Sequence, residues 1–474
     1  MFFTLLCSAV LSVDFTSDIG KVRPELHSSG FGARIEGCSS AVIDEIKSMG
    51  FKSASTHDWA LINANQHVCD YHQMFPLIHL DAKDPKNYVF KPTDYLLKRC
   101  REEAGLDIFF RLGASIEHSG PKVHFNTLIP EDFDKVAEVF AGTVRHYNKG
   151  WGEGYKWNIK YWEIWNEPDG VNNMWCLPDG DLGVGNSPEE IAKDRKARDI
   201  KRRDIFVKFF VTCLKRLKSE FPEIKVGGPA LCWMNESYFR AIFEACKKEG
   251  IAPDFISWHH YTGHPPVVMN AIKKGRALCD EYGFKDCELI INEWHYMGPG
   301  GFSALRSADP EVRKKVWSGP GSHNGIDSSC FNLTLLSKFQ TSKLDQAFYY
   351  GCSHTGAWGY KDSYSKYKIY YGLKMFGDFI KDLPIICASE SVDGITTFAA
   401  KSEDSLRKGV LVVDYRSGEK EIVLELKGVE KDAEIWVYAH DNTRDFELIP
   451  LAMRNGKIVL KKEDDGSAAF SIWF

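Results

Sequence analysis

The chain alternates between short apolar runs, each closed by turn residues, and longer stretches with one apolar and one charged face. Residues 106–112 are apolar except for Asp107 and Arg111, and residues 159–164, 224–228, 255–259, 288–292 and 347–351 have the same texture. Runs that are apolar at nearly every position suit strands buried on both faces. Helix patterns follow them. Ser39 or Ser40 caps a helix over 41–49 that Gly50 stops, and Thr93 opens one to Glu103 that Gly105 stops. Pro130, as a first-turn residue, opens a helix to Tyr147. The Ser187-Pro188-Glu189-Glu190 signal opens a basic amphipathic helix to about Ser219, and further helices are predicted over 235–248, 266–281, 331–341 and 369–380. With a strand over 51–56 and a short one near Phe31, the pattern gives roughly eight strand-then-helix units. It predicts an α/β fold, a parallel (β/α)8 TIM barrel.

From about Pro384 the periodicity changes to short strands, over 395–398, 409–415, 421–426, 433–438, 457–460 and 468–474, separated by turns and charges. An all-β sandwich is predicted there, and an initial strand within 2–15 is expected to pair into it. The expected division is 1–18 for the strand that joins the β domain, 19–383 for the barrel and 384–474 for the sandwich. The segment 294–327 is rich in Gly, Ser and Pro and reads as a long loop forming one wall of a pocket.

Composition narrows the function classes. Over 474 residues the hydrophobic content is 44% and the charged content 26%, ordinary for a globular protein, and the net charge of −5 offers no field for nucleic acid. No run reaches the ~18–20 apolar residues of a membrane span. The 13 cysteines form no Cys-x-x-Cys pair and read as reduced, buried thiols. The apolar start lacks the basic n-region of a signal peptide, so a cytoplasmic location is expected, with a secretory start as the alternative. A homo-oligomer is left open.

The chemistry gathers at strand ends. In Tyr161-Trp162-Glu163-Ile164-Trp165-Asn166-Glu167-Pro168, alternation puts Tyr161 and Glu163 on one face and Trp162 and Ile164 on the other. Pro168 biases Glu167 towards extended backbone. A second apolar run ends in Asn292-Glu293-Trp294 before Gly298-Pro299-Gly300-Gly301. In a parallel barrel, His57, Glu117, Asn166, Glu167, His259, Glu293 and Trp358 all fall at C-terminal strand ends, where such barrels carry active sites. Two carboxyl groups converging on one bond, amid tryptophans, suit glycoside cleavage. Trp294 and Trp358 either stack on sugar faces or pack in the core. Glu117 and His118 either bind hydroxyls or form a solvated pair. His67, Cys69 and His72, or His259 and His260, lack the spacing of a strong metal motif, so no metal or other cofactor is expected. A carbohydrate-binding barrel without catalysis is the competing reading.

Trp165-Asn166-Glu167-Pro168, Gly227-Gly228-Pro229, Ser257-Trp258-His259 and Asn292-Glu293 together resemble glycoside hydrolase family 39, in clan A. That family contains β-xylosidases and α-L-iduronidases. The resemblance covers most of the chain. It implies a retaining double displacement on an oligosaccharide or glycoside, with Glu167 as acid/base and Glu293 as nucleophile, and β-xylosidase as the first expectation. Arabinoside- or uronide-cleaving relatives are the alternatives. It further implies that Asn166 bonds the sugar's 2-hydroxyl, that His259 contacts the sugar or orients a carboxylate, that Tyr261 bonds Glu293, and that His57 lies near the sugar. The family often has Arg two residues before that histidine. Here the residue is Ser55.

Overall fold

The computed structural model describes residues 9–30, 40–56, 68–114, 127–171, 174–351, 358–362 and 364–474. The first strand, β1 (Ala9–Lys21), lies outside the barrel. The next eight are β2 (Ser28–Ser29), β3 (Ser53–Ser55), β4 (Asp107–Leu112), β5 (Tyr161–Ile164), β6 (Lys225–Leu231), β7 (Phe255–Thr262), β8 (Glu288–Tyr296) and β9 (Gln346–Tyr349). They close in sequence order into a parallel barrel, β9 returning to pair with β2.

The helices between them are α1 (Ser40–Ser48), α2 (Tyr71–Met74), α3 (Lys91–Lys98), α4 (Phe133–Lys149), α5 (Pro188–Glu220), α6 (Glu236–Lys248) and α7 (Pro265–Tyr282). After β8 come α8 (Gly301–Leu305), α9 (Pro310–Trp317) and α10 (Ile326–Phe339), and after β9 comes α11 (Lys368–Asp382). The segment expected to be a long loop therefore carries two short helices. Its second has a local start signal that the glycines obscured, since Asp309 accepts from the Glu311 amide at 2.9 Å and Pro310 occupies the first turn. Pro130 does not open α4. Asp132 does so, its carboxylate accepting from the Lys135 amide at 2.9 Å, and a carboxylate cap there sets the start two residues beyond the proline. Ser187 caps α5 as read, accepting from the Glu190 amide at 3.2 Å.

Inside the barrel, Phe109, Phe255, Ile290 and Phe348 form an apolar plug, with Tyr161 packed against it. The outward-facing residues of the same strands, among them Phe110, Trp162, Ile256 and Ile291, belong to the larger core shared with the helices. The lower lumen is thus filled by rings, and any polar chemistry is displaced to the layers above.

The remaining strands are β10 (Ile385–Ser389), β11 (Ile395–Lys401), β12 (Lys408–Asp414), β13 (Glu421–Lys427), β14 (Trp436–His440), β15 (Asp445–Ile449), β16 (Lys457–Lys461) and β17 (Ala468–Trp473). With β1 they make one nine-stranded sheet, ordered β15-β14-β17-β12-β11-β10-β1-β13-β16. The initial strand pairs antiparallel to β10 and parallel to β13, so it does join the terminal β unit. The sandwich is one continuous sheet curled on itself. Leu11, Val13 and Phe15 of β1 share a core with Ile458 and Leu460 near one edge and with Val437 and Ala439 near the other. Its opposite face is not free. Phe398, Leu411, Val413 and Ala469 belong to the same core as Phe376 and Phe379 of α11 and the barrel. Among the described residues, no helix is long and apolar enough to cross a membrane.

Polar contacts reinforce this junction at Asp327 in α10. Arg416 Nε donates to its carboxylate at 2.7 Å and Ser467 Oγ at 2.6 Å, both from the sheet. Replacing Asp327 by Ala strands these donors, and a buried polar group left unsatisfied costs ~1–3 kcal/mol. Asp327→Ala is expected to lower the unfolding free energy in urea by about that amount. Because barrel and sheet share one core, a single transition is expected. Two separated transitions would show that the units unfold independently.

Candidate active site

Above the aromatic plug the lumen becomes ionic. Glu163, predicted to share a face with Tyr161, points inward from β5. Ser257 Oγ donates to one carboxylate oxygen at 2.5 Å and Asn292 Nδ2 to the other at 2.7 Å. Ser257 Oγ in turn accepts from the Ala230 amide at 2.9 Å. Burial pushes the Glu163 carboxyl up to about 7, against the pull of Ser257, Arg111, His259 and Asn292. Arg111, on β4, is buried in the same layer. Burial lowers its guanidinium to about 10, while the carboxylates of Glu163, Glu293 and Glu167 hold it up.

The next layer holds both predicted catalytic carboxylates. One oxygen of Glu167, one ring nitrogen of His259 and one oxygen of Glu293 all lie within 4.8 Å of one another. His259 Nδ1 meets Glu167 Oε1 at 2.9 Å, and Nε2 stands 3.5 Å from Glu293 Oε2. Burial alone would lower the imidazole. The charge of Glu293 and the bond to Glu167 outweigh it and raise the ring to about 9. Tyr261, two residues on and on the same face, donates its hydroxyl to Glu293 Oε1. The triad's geometry is also that of a potential cation site.

The backbone is bent to bring these groups inward. In β8, Trp258 pairs with Ile291 but His259 pairs with Glu293, so Asn292 is an extra residue in the ladder. This bulge lets Asn292 and Glu293 both serve the lumen, where strict alternation would send one outside. It also turns Trp294 outward, where it packs, fully buried, on Phe339 and Tyr349. The sugar-stacking reading of Trp294 is therefore corrected to a core role.

At the end of β5 the expectation of an extended Glu167 also fails. Its φ is +42°, and Trp165 has φ +73°. Such left-handed backbone costs on the order of 1–3 kcal/mol per residue and needs enforcement. The Glu167 amide donates to Ala230 O at 2.9 Å and the Trp165 amide to Leu112 O at 2.7 Å. Asp169 accepts from the Cys232 amide at 2.9 Å, and Tyr238 Oη donates to Pro168 O at 3.0 Å. Gly113 is required here, because a Cβ would stand 3.2 Å from Trp165 Cα.

Asn166 is buried beside Glu167, and its Oδ1 meets no hydrogen-bond partner among the described residues. Trp358 lies at the same mouth, its ring centroid 6.1 Å from that of Tyr261 and 4.9 Å from that of His295. Trp317 and His323, from the segment after β8, pack against it at 6.0 and 5.3 Å. His57 and Glu117 lie outside the described residues. Sequence reasoning passed over Glu163, Arg111, Ser257 and the role of Asn292. The signal was present, since a charge in an otherwise apolar strand must be paired if that strand is buried on both faces.

No model of a known protein family matches the chain. By sequence it is similar to a β-xylosidase of Geobacillus stearothermophilus, 27% identical over 190 residues, covering 36% of this chain and 32% of that protein. It is similar also to a β-xylosidase of Caldicellulosiruptor saccharolyticus, 25% identical over 225 residues, covering 45% of this chain and 37% of the relative. The chain thus matches about a third of the length of these relatives. Among solved structures, a glucosidase from Croceicoccus marinus superimposes with a TM-score of 0.73 at 20% identity, covering 99% of both chains. A GH51 α-L-arabinofuranosidase from Thermotoga petrophila gives 0.64 at 12% identity, covering 98% of this chain and 100% of that one. These likenesses establish the barrel-plus-sheet fold over the whole chain.

The ionic layer predicts a pH dependence of stability. The folded His259 value of about 9 exceeds its ordinary 6.5, so its contribution is complete below 6.5 and is lost as pH rises through 9. The folded Glu163 carboxyl, near 7 against an ordinary 4.5, holds its proton more tightly than the unfolded chain does. Stability therefore also falls between those two values. Melting temperature is expected to decline from about pH 5 to about pH 9. Glu163→Gln should flatten the lower part of that decline, and an unchanged slope there would refute the assignment.

Proposed function

We propose that the chain is a retaining glycosidase that releases terminal xylosyl units from β-linked xylo-oligosaccharides, with Glu167 as acid/base and Glu293 as nucleophile. One observation carries the reading. Carboxylate oxygens of Glu167 and Glu293 lie within 4.8 Å of each other at the C-terminal mouth of a parallel eight-stranded barrel. Retaining pairs stand ~5–5.5 Å apart, whereas inverting pairs stand ~6.5–9.5 Å apart to admit a water. That the two sequence relatives are β-xylosidases supports xylosides as the substrate class.

In the first half-reaction Glu293 attacks the anomeric carbon as the glycosidic C–O bond breaks, and Glu167 gives its proton to the departing oxygen. Tyr261 holds the Glu293 carboxylate in line by donating to Oε1. In the second half, Glu167 takes a proton from water, the water oxygen attacks the anomeric carbon, and Glu293 is released. The His259 bond stabilises the Glu167 carboxylate, the form needed in that second half. Asn166 Oδ1, which meets no hydrogen-bond partner among the described residues, supports a bond to the sugar's 2-hydroxyl, a contact that strengthens as the oxocarbenium-like state develops.

Aryl β-xylosides, α-L-arabinofuranosides and β-glucosides, assayed side by side, test the substrate class. Turnover is expected to be highest on the xyloside. NMR of the first product should show the β-anomer of xylose, and initial release of the α-anomer would refute retention. Glu293→Gln should abolish turnover. Glu167→Gln should cost roughly 10²–10⁴-fold on a substrate with a poor leaving group, and much less on an activated aryl xyloside.

A further inference from the structure

Away from the barrel mouth, a shallow groove of about 510 Å³ runs between α11 and the β14–β15 edge of the sheet. Its lining is aromatic: Trp436 and Tyr438 of β14, Phe446 of β15 and Trp473 of β17, with Asp378 of α11 on the lip. Alternation along β14 puts Trp436 and Tyr438 on one face, and Trp436 is paired directly with Trp473 across the strands. The Tyr438 and Phe446 rings lie 5.1 Å apart, and Trp473 packs at 5.4 Å on Phe379, which anchors the platform to the barrel. Trp436 remains 44% exposed. Nothing in catalysis or folding requires a tryptophan to stay wet at this edge.

We propose that this groove is a second carbohydrate site, one that holds a β-1,4-linked xylan chain on the enzyme's surface away from the reacting bond. The proposal rests on the xylosidase reading of the barrel for the identity of the sugar. Pyranose rings present C–H faces and hydroxyl rims. The groove matches both, with ring faces for the former and polar groups beside them for the latter. Asp378 lies on the lip, and Lys374, 2.5 Å from it, sits over the Phe446 ring at 6.0 Å. Two features argue against a protein occupant. Protein interfaces engage roughly 20–30 residues a side, and the groove is lined by five. Their cores are also depleted of charge, whereas a carboxylate and an ammonium flank these rings.

The test is native affinity electrophoresis of the full chain in gels containing soluble arabinoxylan, with gels lacking polysaccharide as the reference. The wild type should be retarded, and Trp436→Ala combined with Tyr438→Ala should lose that retardation. Both proteins should turn over a small aryl xyloside at the same kcat/KM, and the variant should show a raised apparent KM on polymeric xylan only. Retardation that survives in the variant, or a wild type that is not retarded although it hydrolyses aryl xylosides, overturns the proposal. So does light scattering that shows a wild-type dimer dispersed by the same substitutions. A chain inactive on aryl xylosides yet retarded by xylan through Trp436 would overturn the barrel reading and leave the groove standing. Both substituted residues lie on a partly exposed edge, so an unchanged melting curve is expected to accompany the loss.

Discussion

Everything at the barrel mouth depends on mutual neutralisation of charges that are buried, apart from a partly exposed Glu167. Arg111 and His259 face Glu163, Glu167 and Glu293 in two adjoining layers above a plug of phenylalanine rings. Removing such groups from water costs several kcal/mol each unless partners replace the hydration. Two cations against three carboxyls leave the lumen neutral when one carboxyl keeps its proton. The raised Glu163 carboxyl and the raised His259 ring are two readings of that one balance, and protons in such a set belong to the group as a whole.

The same demand explains where the backbone is irregular. Straight strands would place one residue in two inside the lumen, too few to bring both Asn292 and Glu293 there, and the β8 bulge supplies the extra one. Left-handed backbone at Trp165 and Glu167 re-aims the acid at the end of β5. Neither distortion is local in its support. The Glu167 loop is held by hydrogen bonds from four directions, through Ala230, Cys232, Tyr238 and Arg202, the last donating to Gly170 O at 2.5 Å. Both strand ends that carry the carboxylates are irregular, and so is the neighbouring end of β6, where Ala230 has φ +56° and accepts from the Glu167 amide.

This also decides what could be read from the residues in order. The barrel was legible because strands buried on both faces must be apolar throughout, and because helix starts at Ser187 and Asn235 announce themselves. The joining of the initial strand to the terminal sheet was legible from its position ahead of the first unit. The two facing carboxylates were legible as two Asn-Glu steps at strand ends. For Trp294 the choice between sugar stacking and core packing stayed open, because the bulge that turns it outward leaves no mark in apolarity. Glu167 was expected to be extended because Pro168 acts locally, while the bonds that hold it left-handed come from β6, distant in sequence. Arg111 and Glu163 were visible as charges in apolar runs, but which charges they answer is a property of closure, and closure is not written in any one strand.

The terminal sheet belongs to this argument more closely than an appended module would. Tyr415, just past β12, donates to Gly263 O at 2.7 Å, at the turn that follows Tyr261. Arg416 donates to Tyr296 Oη at 2.7 Å, at the end of the strand that carries Glu293, while also bonding Asp327. The sheet therefore grips the two strand ends from which Glu293 and its hydroxyl partner Tyr261 project. Side chains that must hold one geometry are better served by strands clamped beyond their last barrel pairing than by loops left to solvent. The initial strand takes part in this although it lies outside the barrel, because it joins β13 and β16 to the rest of the sheet that does the clamping.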